Sequence, residues 1–156
     1  MAQYWLFKTE PDEYSIDDLK QEGQCAWEGI RNYQARNRLR DEVSEGALVF
    51  IHHSSCKTPA IVGLARVIRN AYPDASQFDT DSPYFDAKSE QENPRWLAVD
   101  IAYAEHAKTA LTLKEIKNSK ALSSLELVTH PRLSIQKVDR KHAEILLKSI
   151  GVHPVT

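Results

Sequence analysis

Two apolar runs joined by a short polar stretch constrain this chain more than any other feature. Ala47-Leu48-Val49-Phe50-Ile51 is apolar on both alternating faces, and Ala60-Ile61-Val62-Gly63-Leu64-Ala65-Arg66-Val67-Ile68 is a second long strand, apolar but for Arg66. A strand carries that pattern when both sides of its sheet are covered, so these runs predict an antiparallel pair at the sheet centre, joined by the loop His52 to Pro59.

Around this pair the chain reads as alternating short elements. Tyr4-Trp5-Leu6-Phe7 predicts a buried first strand that ends in a turn at Glu10-Pro11-Asp12. Ser15-Ile16-Asp17-Asp18 has the capping-box form with Tyr14 and Leu19 as a staple, and opens a short helix closed by Gly23. Cys25-Ala26-Trp27 predicts a brief strand, Gly29 a turn, and Asn32 the cap of a helix from Tyr33 to Asp41. Asn70 to Asn93 lacks a clear period and reads either as a functional loop or as a loosely ordered insert. Trp96 to Tyr103 alternates as a strand, Thr112 to Glu115 is a second capping box, and a loop and short helix from Leu125 lead to a strand over 133–138. Asp139 caps a last helix whose Ala143, Leu146, Leu147 and Ile150 line one face before Gly151 stops it. Many strands with short helices at the margins predict a small α+β domain, a curled sheet or open barrel.

A chain of 156 residues suits one domain over 1–156. No apolar run approaches the roughly 20 residues that span a bilayer, so no membrane partner is expected. Lys8 and Glu10 within Met1 to Glu10, with no cleavage site following, argue against a signal peptide. Cys25 and Cys56 are too few for a disulfide framework, and a reducing cytoplasm is expected. The net charge of −2 excludes a generally basic nucleic-acid binder, so any grip on phosphate must be local.

Several chemistries lack a signature. His52, His53 and Cys56 lie close, but adjacent strand residues point to opposite faces, so no metal site is expected. Ser54, Ser55, Cys56 and His53 supply the residue types of nucleophilic catalysis without its spacing, and acids such as Asp79, Asp81 and Asp86 read as a solvated loop. No glycine-rich phosphate loop occurs.

The stretch Trp27 to Arg40 departs furthest from what folding requires. Its helix has only Ala35, Leu39 and Val43 as an inward stripe, and Arg36 and Arg40 stand four apart, a like-charge spacing that costs a few tenths of a kcal/mol. Trp27 before a glycine turn can present a ring on which a base stacks, and Arg31, Arg36, Arg38 and Arg40 are either a solvated helix face or phosphate ligands. Of the other tryptophans, Trp5 reads as core and Trp96 as either core or a second wall.

The string Trp27-Glu28-Gly29-Ile30-Arg31-Asn32-Tyr33-Gln34-Ala35-Arg36-Asn37 resembles the EVE domain family. So do Tyr4 to Asp12, His53-Ser54, Gly63-Leu64-Ala65, Ala71-Tyr72-Pro73-Asp74, Asn93-Pro94-Arg95-Trp96 and Val99-Asp100. The resemblance implies a PUA-like fold, a curled mixed or antiparallel β-barrel with short peripheral helices, related to YTH domains that recognise methylated adenine in RNA. It implies a non-catalytic reader of modified bases, chiefly modified cytosine in DNA, with RNA for some bacterial members. Lys8-Thr9 and Trp27 look like counterparts of the YTH Lys-Ser pair and cage tryptophan. With Glu10, Ile30, Asn32, Ser54 and Trp96 they make the expected base-binding set, flanked by Arg31, Arg36 and Arg40 on phosphates. Tyr84, Phe85 and Trp96 compete for the second aromatic wall. A monomer without cofactor, bound to modified DNA or RNA, is the expectation. An RNA-processing enzyme or nuclease using Lys8, Glu10 or His53, and a small-metabolite sensor, are the alternatives.

Overall fold

The computed structural model describes residues 3–154, and the outermost residues of the domain expected over 1–156, Met1, Ala2, Val155 and Thr156, lie outside the described residues. Six strands form one mixed sheet in the order β2-β5-β4-β3-β1-β6. The strands are β1 (Tyr4–Thr9), β2 (Gln24–Trp27), β3 (Leu48–His53), β4 (Ala60–Pro73), β5 (Leu97–Thr112) and β6 (Ile135–Val138). The helices are α1 (Ile16–Glu22), α2 (Tyr33–Asp41), α3 (Leu113–Lys117), α4 (Glu126–Thr129) and α5 (Arg140–Ile150).

The two apolar runs are β3 and β4, antiparallel at the middle of the sheet as their two-faced pattern requires. The chain returns from β1 to β3 through α1, β2 and α2, a crossover long enough for β1 and β3 to pair in parallel. Period-2 alternation then sorts the core into two clusters. Trp5, Phe7, Val49 and Ile51 join Ile16 and Leu19 of α1 and Ala35 and Leu39 of α2 on one face. Leu6, Leu48 and Phe50 join Ile116 of α3 and Ala143, Leu146 and Ile150 of α5 on the other. Each large apolar side chain taken fully out of water contributes about 1.5–3 kcal/mol.

The capping expectations match the helix starts. Ser15 and Thr112 each close a reciprocal box, with Asp18 and Glu115, and Asn32 and Asp139 accept from the backbone of α2 and α5. Strand lengths differ from expectation. β4 runs on to Pro73 and β5 to Thr112, although the extensions carry Arg69, Asn70, Glu105, His106 and Lys108. Each strand supplies the other's backbone hydrogen bonds, so side-chain polarity does not end the pair. Four register shifts between them bend the ribbon and curl the sheet. Gly63 sits at one shift, where an added Cβ would lie 2.1 Å from Ile16 Cδ1 and 2.5 Å from the Glu105 carbonyl, so glycine lets α1 dock.

The segment after β4 is no loose insert. Asp74 and Gln77 are fully buried, and the Gln77 amide donates to the Asp74 and Trp96 carbonyls while accepting from the Trp96 amide and the Ser89 hydroxyl.

His52 is 1% exposed, and neither ring nitrogen has a hydrogen-bond partner among the described residues. Burial, reinforced by the nearby charges of Lys8 and His53, pushes it down from 6.5 to about 3. The unfolded chain therefore takes up a proton below about 6.5 that the folded chain refuses until about 3. His52 thus costs no stability above that window and progressively more as pH falls through it. In urea unfolding, lowering the pH from 7 to 4 should remove on the order of 3 kcal/mol more from the wild type than from His52→Leu. Equal losses in the two chains would show that His52 titrates normally.

Candidate base-binding cleft

Beside the sheet edge formed by β2 lies a cleft of about 1070 Å³, walled by the ends of β1 and β2 with the segments that follow them, by Ser54 and Ser55 after β3, by Tyr84 after β4 and by Pro131, Arg132 and Ser134 before β6. At the end of β1 the Thr9 hydroxyl donates to the Tyr14 carbonyl (2.7 Å), which closes the turn through Glu10 and presents the Tyr14 ring. β2, held by β5, delivers Trp27. Its ring is 7% exposed, lies 5.8 Å from Phe7 and meets Tyr14 edge-on at 6.1 Å and 79°. Trp27 is therefore a largely buried wall rather than a half-presented plate.

Gly29 then turns the chain at φ 83°, a left-handed value that costs other residues energy. Tyr84 packs on its bare Cα: a Cβ there would stand 2.8 Å from Tyr84 Cζ. Beyond the turn, all five N–H groups of Arg31 are matched by acceptors. Nε and Nη2 donate to the Tyr84 carbonyl (3.1 and 2.7 Å), Nη1 to the Ile30 carbonyl and Asp74 Oδ2 (2.9 and 3.1 Å), and Nη2 to the Ser76 hydroxyl (3.1 Å). Asp74 also accepts from the amides of Gly29 (2.9 Å) and Ser76 (2.8 Å). Burial pushes its carboxyl up, but the Ser76 hydroxyl, these amides and Arg31 outweigh burial and hold it below the usual carboxylate range.

The structure brings Lys8, Thr9, Glu10, Trp27, Ile30, Arg31 and Ser54 to this cleft and places the other expected residues elsewhere. Asn32 caps α2, accepting from the Ala35 amide at 2.9 Å. Trp96 is not the second wall: it is 5% exposed, donates to Asp86 Oδ2 (2.8 Å) and stacks on Tyr33 at 4.8 Å. Phe85 is exposed, and of the three competing rings Tyr84 is the one that lines the cleft.

The arginine expectation needs the largest correction. Arg31 lines the cleft with every donor occupied, so it anchors Tyr84 instead of offering itself to phosphate. Arg36 donates to the Arg95 carbonyl (2.8 Å) and lies over the Tyr33 ring, while Arg40 is forked onto its neighbour Asp41 (2.7 and 2.9 Å). Arg38 pairs with Glu126 across the domain.

Tyr14, Glu13, Glu22, Glu28 and Arg132 also line the cleft and were not expected there. Tyr14 read as a helix staple, and Arg132 follows the Pro131 carbonyl that accepts from Lys8, a contact between residues 123 positions apart that no local pattern reveals. His53, offered as a catalytic base, accepts the Ile16 amide through Nε2 at 3.1 Å. Among the described residues no group of three or more His, Cys, Asp or Glu is placed to hold a metal ion.

The EVE domain model matches residues 3–149. This chain belongs to the EVE domain family. Thymocyte nuclear protein 1 from Mus musculus is 37% identical over 173 residues, covering 99% of this chain and 76% of that protein. A hypothetical protein from Leishmania major superposes with a TM-score of 0.93 at 40% identity, over 97% of this chain and 96% of its own. The structure of human THYN1 protein in complex with 5-methylcytosine containing DNA superposes at 0.90 with 34% identity, over 97% of this chain and 99% of that one. This EVE domain shares with them the six-strand mixed sheet edged by short helices.

Removing the Arg31 guanidinium leaves a fully buried Asp74 without its cation and frees the Tyr84 segment. Arg31→Ala should lower the unfolding free energy by about 2–4 kcal/mol in chemical denaturation, whereas Arg40→Ala should leave the midpoint unchanged. Equal effects would show that Arg31 is as peripheral as Arg40.

Proposed function

We propose that this EVE domain is a non-catalytic reader that takes an extruded or unpaired modified base, a modified cytosine in DNA first of all, into the cleft between Trp27 and Tyr84. One observation carries the reading: an aromatic-walled cleft on a scaffold superposing at 0.90 with the human relative that is in complex with 5-methylcytosine containing DNA. The cleft has room for a base, and stacking on an aromatic ring contributes about 1–3 kcal/mol. Extruding a base from a duplex costs a few kcal/mol, so unpaired or distorted sites are favoured.

Thr9, Ser54 and the edge of β2 would meet the base, and Lys8 and Arg132 at the mouth would meet flanking phosphates. Arg31 holds Tyr84 in place. Arg36 and Arg40 lie outside the cleft, and their guanidinium groups bond within α2 and with the segment before β5.

Fluorescence anisotropy with matched oligonucleotides carrying cytosine or 5-methylcytosine, as DNA and as RNA, tests the reading. Ser54→Tyr should fill the cleft while keeping the fold, and Trp27→Phe should shrink its wall. The wild type should prefer the modified DNA strand, Ser54→Tyr should lose at least tenfold in affinity, and Trp27→Phe should bind more weakly. The logarithm of affinity should fall with the logarithm of salt concentration at a slope of about −0.7 to −0.9 per phosphate held. Absence of any preference for a modified strand, or wild-type binding by folded Ser54→Tyr, would sink the reading. A preference confined to RNA would move it to that polymer, and binding of free nucleoside without salt dependence would point to a metabolite sensor.

A further inference from the structure

Hydrogen-bond supply in the cleft is lopsided. The donors beside its aromatic walls are occupied within the protein: the Tyr14 hydroxyl by Glu22, the Tyr84 hydroxyl by Glu13 (3.3 Å), the Thr9 hydroxyl by the Tyr14 carbonyl (2.7 Å) and the five N–H groups of Arg31 by four acceptors. Lys8 donates to the Pro131 carbonyl. Four carboxylates line the same space, Glu10, Glu13, Glu22 and Glu28, and two of them already hold tyrosine hydroxyls. The serines and Gln24 can serve as donor or acceptor. Arg132 and the remaining N–H groups of Lys8 are the cationic donors left in the cleft, and around Trp27 and Tyr84 the charged side chains offer acceptors.

Glu28 stands out among those acceptors. It follows Trp27 directly at the end of β2 and lines the cleft with no hydrogen bond or ion pair to its carboxylate among the described residues. Burial, together with the charge of Asp74, pushes its carboxyl above the usual range, with Arg31 opposing. A carboxyl in that setting gains from a ligand that donates to it.

We infer that Glu28 is the specificity residue of the cleft, reading the amino edge of the bound base and so selecting cytosine derivatives over thymine. The inference rests on the cleft being the base site proposed above. One Glu28 oxygen accepts from the N4 amino group, the pairing that carboxylates make with cytosine. Thymine presents a carbonyl at the same position, which meets a carboxylate oxygen without a hydrogen between them. The 5-methyl group is common to 5-methylcytosine and thymine, so it plays no part in this choice.

That shared methyl supplies the test. Two otherwise identical DNA strands, one with 5-methylcytosine and one with thymine at the same unpaired position, are titrated into wild type, Glu28→Gln and Glu28→Ala, with folding checked by circular dichroism. The wild type should favour 5-methylcytosine by about tenfold or more. A glutamine side chain offers both a carbonyl and an amide N–H and can turn over to match either base. Glu28→Gln should therefore bind 5-methylcytosine within about threefold of wild type while its preference over thymine falls at least fivefold, and Glu28→Ala should lose both affinity and preference. If wild type binds the two strands equally, or if folded Glu28→Gln and Glu28→Ala keep the wild-type ratio, the assignment is wrong. Should Ser54→Tyr still abolish binding in that case, the cleft stands as the base site and only Glu28 falls; if no strand binds, both fall together.

Discussion

The contact on which the rest of the site depends is the ion pair between Arg31 and Asp74. Asp74 is fully buried, and a lone carboxylate there would be far too costly to keep ionised. Arg31, the Gly29 amide, and the Ser76 amide and hydroxyl make that charge tolerable by giving it partners in good geometry. The same bonds fasten three separate stretches to one another: the turn after Trp27, the end of β4 and the segment that carries Tyr84. The pair therefore acts as a clamp that ties the Tyr84 backbone to the turn after Trp27.

Gly29 shows how finely that clamp is set. Its positive φ aims its amide at Asp74, and its missing Cβ leaves the space that the Tyr84 ring fills. A side chain at this position would strain the backbone and push the ring away in one change. Gln77 plays a similar part on the far side, holding Trp96 and Ser89 by its amide, so the long connection between β4 and β5 is fastened to the start of β5.

Most of the fold was legible because its signals are local. The two-faced pattern of β3 and β4, the two capping boxes and the Asn32 and Asp139 caps each depend on residues a few positions apart. The extensions of β4 and β5 were not, because their ladder is made by backbone and their side chains are polar. In the site, Trp27 followed from its place before a glycine turn, Thr9 and Ser54 from family resemblance, and the three line the same cleft. The arginines misled because a side chain's availability depends on distant partners: Arg31 on Tyr84 and Asp74, Arg36 on Arg95, Arg38 on Glu126. Trp96, open between core and second wall in the sequence, is buried, with its indole on Asp86 and its ring on Tyr33.

The three tryptophans give a direct view of the central claim, that a modified base enters beside Trp27. Trp27 lines the cleft, while Trp5 is wholly buried in the sheet and Trp96 is bound to Asp86 away from it. In a two-dimensional NMR titration with an oligonucleotide carrying 5-methylcytosine, the indole signal of Trp27 should move in step with binding while those of Trp5 and Trp96 stay nearly fixed. A saturating titration in which Trp27 stays still and another indole moves would contradict it.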